Sequence, residues 1–203
     1  MKLGHKDRSN KKETWEPGSE LKDKGDVGEE VVGKYLKTEY DEVYHIADEH
    51  KKKDFECWEF KKTEIEKTIV EAKCEFKIYN HGEYGNITWE LCRIRKGGEV
   101  IVPGWGWETK SDFVIYFIPQ TEEILIADVE EVRRAIWESW QSGNQSEYMR
   151  PEGTPTNKNK VTIFFLVPVS ALERGSKIQK KDVSDLIDRK TVRRIKEIET
   201  QYK

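Results

Sequence analysis

The triplet Glu71-Ala72-Lys73 follows Thr68-Ile69-Val70, and these β-branched residues predict a strand over 68–76. Side chains alternate between the faces of a strand, so Glu71 and Lys73 leave from one face and Ala72 from the other. A carboxylate beside an ammonium on a sheet face suits metal-assisted hydrolysis. The carboxylate holds a divalent cation, and the lysine orients the attacking water or helps to deprotonate it. Asp54 stands seventeen residues before Glu71, at the head of another predicted strand, 54–60. If the two strands form a hairpin, Asp54 and Glu71 converge on one ion. Hard oxygen ligands of this kind suit Mg2+, with Mn2+ as its substitute. Taken alone the triplet is more often a solvated strand face, so its surroundings decide its meaning.

Those surroundings predict a mixed α/β arrangement. Residues 1–24 carry seven Lys/Arg, five Asp/Glu and a Pro-Gly, and read as a flexible polar arm. From Asp26 to Tyr40, Val27, Val31, Val32, Tyr35 and Leu36 recur at helical spacing behind Asp26 as N-cap. A short strand, Val43–Ile46, precedes the hairpin, and 61–67 is a charged connection. Over Asn86–Ile94, Ile87, Trp89 and Leu91 alternate with Asn86, Thr88 and Glu90. A loop, Pro103-Gly-Trp-Gly-Trp107, leads to an apolar run, Phe113–Ile118, read as a buried strand. Val129 to Trp140 is an amphipathic helix, 141–160 a long polar loop, 161–169 a buried strand, and 182–198 a basic helix bent near Thr191. The expected organisation is a domain over 25–203, its core at 25–118 and a helical extension with one returning strand at 119–203.

Composition removes other classes. Of 203 residues 37% are charged, the net charge is −3, and seven Trp supply core bulk. No stretch has the roughly 18 apolar residues of a membrane span. The first 24 residues have no apolar segment of a secretory signal. Three cysteines (Cys57, Cys74 and Cys92) form neither a disulfide framework nor a CxxC site, which fits a reducing cytoplasm. His45, His50 and His81 are isolated and make no zinc motif.

Asp54 and Glu71-Ala-Lys73, preceded by a helix opening Gly28-Glu29-Glu30 and followed by mixed strands, resemble the PD-(D/E)xK nuclease superfamily over residues 25–118. Gly85-Asn86-Ile-Thr-Trp-Glu90, Gly104-Trp105 and Thr109-Lys-Ser-Asp112 resemble phage-type members; Holliday-junction resolvases belong to the same superfamily. Lys53 stands where the motif has its proline. The resemblance implies a restriction-endonuclease-like fold, a central mixed sheet flanked by helices, and Mg2+-dependent cleavage of DNA, branched or phage DNA among the substrates. It implies a dimer as the working form. It assigns metal binding to Asp54 and Glu71, with the Ala72 backbone carbonyl or Glu29 completing the shell, and an orienting role to Lys73. The alternative is a nuclease fold kept as a catalytically silent nucleic-acid-binding or interaction module.

Other residues carry two readings each. Glu90 and Asn86 either support the metal and phosphate or form the polar face of an edge strand. Glu29 lies closer than Glu30 to the apolar stripe of the first helix, although either also suits a helix's first turn. Trp105 and Trp107 stack on bases or pack over a sheet edge. Asp112 caps a turn or reaches the site. From Glu173 onward ten Lys/Arg face six Asp/Glu, so Arg193, Arg194 and Lys196 are candidate phosphate contacts or a solvated helix face.

Overall fold

The computed structural model describes residues 20–46, 54–62, 64–74, 86–95, 101–143, 149–153, 160–174 and 178–201. Most of the predicted arm (1–19), His50 and His81 lie outside the described residues.

Among the described residues the chain is a mixed α+β fold with a six-stranded sheet, β1-β2-β3-β6-β7-β10, and a four-stranded one, β5-β4-β9-β8. The first sheet comprises β1 (Glu42–His45), β2 (Phe55–Phe60), β3 (Ile65–Cys74), β6 (Phe113–Ile118), β7 (Glu123–Asp128) and β10 (Ile178–Asp182). β3 and β6 run parallel, and the other pairs are antiparallel. The second sheet comprises β4 (Asn86–Arg95), β5 (Ile101–Pro103), β8 (Met149–Gly153) and β9 (Lys160–Pro168), all antiparallel. The helices are α1 (Glu20–Glu39), α2 (Trp105–Glu108), α3 (Val129–Gln141), α4 (Val169–Arg174) and α5 (Arg189–Gln201).

Strand alternation gives the six-stranded sheet two apolar faces. Phe55, Cys57, Val70, Ala72, Ile115 and Phe117 face α1, whose Val27, Val31, Val32 and Leu36 are fully buried against them. Ile195 and Ile198 of α5 close the same cluster. On the opposite face, Val114, Tyr116, Leu125 and Ala127 pack against Ile87, Trp89, Phe165 and Val167 of the second sheet, and against Val132 and Ile136 of α3. The Tyr116 hydroxyl donates to the Thr88 carbonyl at 2.9 Å across this junction.

Several expectations are corrected. α1 begins at Glu20, so Asp26 lies inside the helix and is not its N-cap. β3 begins at Ile65, inside the expected connection, because its first residues pair with Phe60 and Glu59 of β2. The loop 103–107 contains a helical turn. The helix expected over 182–198 starts at Arg189, with Asp182 ending β10. Asp188 Oδ1 accepts from the Thr191 backbone N–H at 2.8 Å, so Thr191 occupies the first turn rather than a bend. β8 lies within the expected loop 141–160.

Candidate active site

The hairpin of β2 and β3 ends its pairing at Phe55 opposite Val70. Beyond that point Asp54 stays beside β3: its N–H donates to the Val70 carbonyl at 3.0 Å, and its Oδ2 accepts from the Ala72 N–H at 2.7 Å. The Asp54 side chain thus stands in for the missing strand partner. A strand residue directs its N–H and C=O to the same side. The Ala72 carbonyl therefore emerges on the edge of β3 that Asp54 occupies.

Glu71 is 6% exposed, and Lys73 Nζ donates to its Oε1 at 2.6 Å. Glu71 Oε2 is buried with no hydrogen-bond partner among the described residues. Burial pushes the Asp54 carboxyl up to about 6; Lys73 and the Ala72 N–H pull it down, while Glu71 and Glu29 push it further up. Burial alone would lower the Lys73 amine, but Glu71 and Asp54 outweigh it and hold the amine above its ordinary range. Lys73 is therefore a fixed cation at neutral pH.

These observations fit a hard divalent cation. An orphaned carboxylate oxygen, an acid whose proton affinity is raised beside it, and a carbonyl on the same edge make an oxygen donor set with more negative charge than Lys73 neutralises. Among the described residues no three His, Cys, Asp or Glu side chains gather as a metal cluster. Protein ligands would be two carboxylates and a backbone oxygen, with water filling the remainder, as Mg2+ favours.

Glu29 and Glu30 part company. Glu29 Oε2 lies 2.8 Å from His45 Nε2, and its charge is felt by Asp54 and Lys73. Glu30 turns to α5, where it accepts from Thr191 Oγ1 at 2.8 Å and Arg194 Nη1 at 3.0 Å, and also from Lys34 at 2.9 Å. His45 is not isolated, since its ring also lies 5.0 Å from that of Phe55. Its one sequence signal is its place at the end of the strand paired with β2.

Trp105 turns inward, its ring 4.9 Å from the Lys73 ammonium and 5.0 Å from the Trp89 ring. The loop is held close by its glycines: a Cβ at Gly104 would overlap the Glu90 backbone, and one at Gly106 the Trp89 indole. Arg133 of α3 fastens it from outside, donating to the carbonyls of Gly106, Trp107 and Thr109 at 3.1, 3.0 and 2.8 Å. Sequence reasoning missed Arg133, which reads as one more charge on an amphipathic helix. Trp105 is thus a half-buried wall behind Lys73.

β4 lies between β9 and β5, and β5 pairs with Cys92, Arg93 and Ile94 of it. Glu90 is 5% exposed, with the Gly104 loop close against its backbone and Cγ and Arg93 Nε donating to it at 2.5 Å, and a bulge follows between Glu90 and Cys92. The Asn86 side chain lies outside the described residues. Asp112 Oδ2 accepts from the Ile69 N–H at 2.6 Å, extending the junction of β3 and β6. On α5, Arg193 and Lys196 are exposed, whereas Arg194 is spent on Glu30.

No helix among the described residues is long and apolar enough to cross a membrane. No family model matches the chain. No curated protein matches it. Among solved structures, a bacterial homing endonuclease is similar at 19% identity and a TM-score of 0.36, covering 56% of this chain and 71% of its own.

Proposed function

We propose that the chain is a Mg2+-dependent DNA endonuclease of the PD-(D/E)xK type, Mn2+ substituting for Mg2+, that hydrolyses phosphodiester bonds, with branched or phage DNA within its range. The observation that carries this reading is the orphaned, buried Oε2 of Glu71, beside Asp54 on the edge that β2 vacates. Asp54, Glu71 and the Ala72 carbonyl would hold the cation, which supplies charge neutralisation at the phosphate and a more acidic water. Lys73 holds a phosphate oxygen or the attacking water by its ammonium, fixed between Glu71 and the Trp105 ring. Being cationic, it orients and does not act as a free base. Glu29 adds negative charge behind the site and steers His45. A homodimer, with two such sites, suits cleavage of both strands.

The silent-module reading also has an observation in its favour. Lys73 already caps Glu71 Oε1, and the Ala72 N–H already binds Asp54, so the site is partly satisfied by the chain alone.

Metal titration and cleavage together separate the two. Glu71→Ala and Asp54→Ala should lose Mn2+ binding in calorimetry and lose cleavage. Lys73→Ala should keep the metal and lose cleavage by a factor on the order of 10²–10⁴. Cleavage by Lys73→Ala at the parent rate would remove the nuclease assignment.

A further inference from the structure

A lysine carries its ammonium on a flexible four-carbon stem, so its neighbours must impose any working position. Lys73 has two such neighbours: Glu71 Oε1 at 2.6 Å and the Trp105 ring at 4.9 Å. They are not equivalent. The Glu71 carboxylate is also a proposed ligand of the cation, and charge shared with a divalent ion holds an ammonium less firmly. The Trp105 ring attracts the ammonium through its quadrupole and has no charge to share. With Glu71 engaged, the place of the Lys73 ammonium falls to Trp105.

Trp105 cannot keep itself in place. It opens α2, a turn of four residues, whereas isolated helices need about 12 residues or more to persist. Gly104 caps this turn without a side-chain bond, and Gly106 follows, so the backbone on both sides is of the freest kind. The fully buried Trp89 ring, 5.0 Å away, bounds Trp105 without bonding its backbone. Arg133 supplies the missing bonds. Its Nε donates to the Gly106 carbonyl at 3.1 Å, and its Nη2 to the carbonyls of Trp107 and Thr109 at 3.0 and 2.8 Å. The remaining branch, Nη1, is held by Glu130 at 2.5 Å. Arg133 in turn stands in the first half of α3, which leaves β7 directly, is capped by Asp128, and is anchored through the buried Val132 and Ile136. Lys73 and Arg133 are thus both fixed to the six-stranded sheet, and the turn carrying Trp105 is suspended between them.

We infer that Arg133 is a positioning residue for the proposed hydrolysis: by bonding three carbonyls around the turn it presses Trp105 against Lys73 and so aims the ammonium at the phosphate or the attacking water. The catalytic consequence rests on the nuclease reading; the hold on Lys73 does not.

The test pairs a spectroscopic readout with kinetics, using the full chain. Arg133→Met keeps the stem and removes the donors, and Arg133→Lys keeps the charge. In EDTA, proton–carbon NMR of the labelled chain should show the Lys73 ε-methylene protons upfield of the other lysines, as protons beside an aromatic ring are, with the signal assigned by its loss in Lys73→Ala. Trp105→Leu and both Arg133 variants should return that signal toward the ordinary lysine position. In cleavage with Mg2+, Arg133→Met should lower kcat by on the order of tenfold to a hundredfold and leave KM near parental. Arg133→Lys should not restore kcat, because one compact ammonium cannot span three carbonyls. In the Lys73→Ala background, Arg133→Met should cause no further loss, since its effect passes through the missing ammonium. Circular dichroism checks folding; if Arg133→Met does not fold, Arg133→Lys and Trp105→Leu carry the same readouts. A Lys73 signal that is not upfield in the parent, or that ignores the Arg133 variants, overturns the inference. Parental kcat in Arg133→Lys does so too, as does an undiminished loss from Arg133→Met in the Lys73→Ala background. An upfield Lys73 signal that depends on Arg133, in a parent that cleaves nothing with Mg2+, sinks the nuclease reading and keeps the hold on Lys73. Lys73-dependent cleavage that Arg133→Met leaves untouched does the reverse.

Discussion

Glu29 and Glu30 leave α1 about 100° apart, and the turn of one residue sends them into opposite electrostatic settings. Glu30 enters a closed network with Lys34, Thr191, Arg194 and, through Lys34 and Thr191, Asp188. There the hydrogen bonds outweigh burial, and both Glu30 and Asp188 are held below the usual carboxylate range. Glu29 faces the other group, where Asp54 is pushed up to about 6 and a Glu71 oxygen has no partner among the described residues. The first cluster is complete and ties helix to helix. The second has more negative charge than its own lysine neutralises. An excess of this kind costs stability, which is how a fold keeps a binding site ready for something it does not itself contain.

Deleting each glutamate in turn separates the two clusters. Glu30→Ala leaves Arg194 and Thr191 without their acceptor and should cost about 1–3 kcal/mol in urea melts at neutral pH, toward the lower end because the network is partly exposed. Glu29→Ala should change stability by less than about 0.5 kcal/mol. Its effect should fall on cleavage and on the metal concentration required. Equal destabilisation by the two would show that both acids serve the scaffold.

How much of this was legible follows from where the signal lies. β6 is readable to the residue because Phe113–Ile118 is buried on both faces and so apolar throughout. The juxtaposition of Glu71 and Lys73 needs only the period of a strand, and that of Asp54 only a hairpin. β10 was illegible: its sequence is Ile-Gln-Lys-Lys-Asp, only Ile178 is buried, and lysine is typical of edge strands. β8 hides likewise among polar residues and a proline. Trp105 misleads for a related reason, because a tryptophan between glycines looks exposed until Arg133, far along the chain, is seen to close the loop.

The two clusters should also respond to pH with opposite signs. Glu30 and Asp188 have lowered folded-state pKa values, so their contribution is present above the unfolded values of 4.5 and 3.8 and is lost as pH falls below them. Asp54 is raised from 3.8 to about 6. Between those values the folded chain holds the proton that the unfolded chain has released, so stability falls as pH rises through this window. Asp54→Asn should therefore raise stability by about 1–2 kcal/mol at pH 7.5 in EDTA and change it little near pH 3.5. Saturating Mn2+ should stabilise the parent and not the variant. Parent and variant melting alike at both pH values would deny the site its excess charge.

The smallest effect divides α5 by the same comparison. Arg194 is a member of the closed network, so Arg194→Ala should lower stability and leave the salt dependence of DNA binding unchanged. Arg193 is 82% exposed by side chain and pairs only locally with Glu197, and Lys196 is exposed beside it on a groove that Arg189 also lines. A phosphate reaching this groove would meet both cations at little cost in displaced partners. Each phosphate neutralised on B-form DNA contributes roughly 0.9 to the slope of log affinity against log salt. Replacing Arg193 and Lys196 together by Ala should flatten that slope by about 1 to 2, weaken binding by severalfold at low salt, and leave urea melts unchanged. An unaltered slope in the double variant, measured by anisotropy across a salt series, would place the duplex away from α5 and leave this helix with the structural half of the comparison alone.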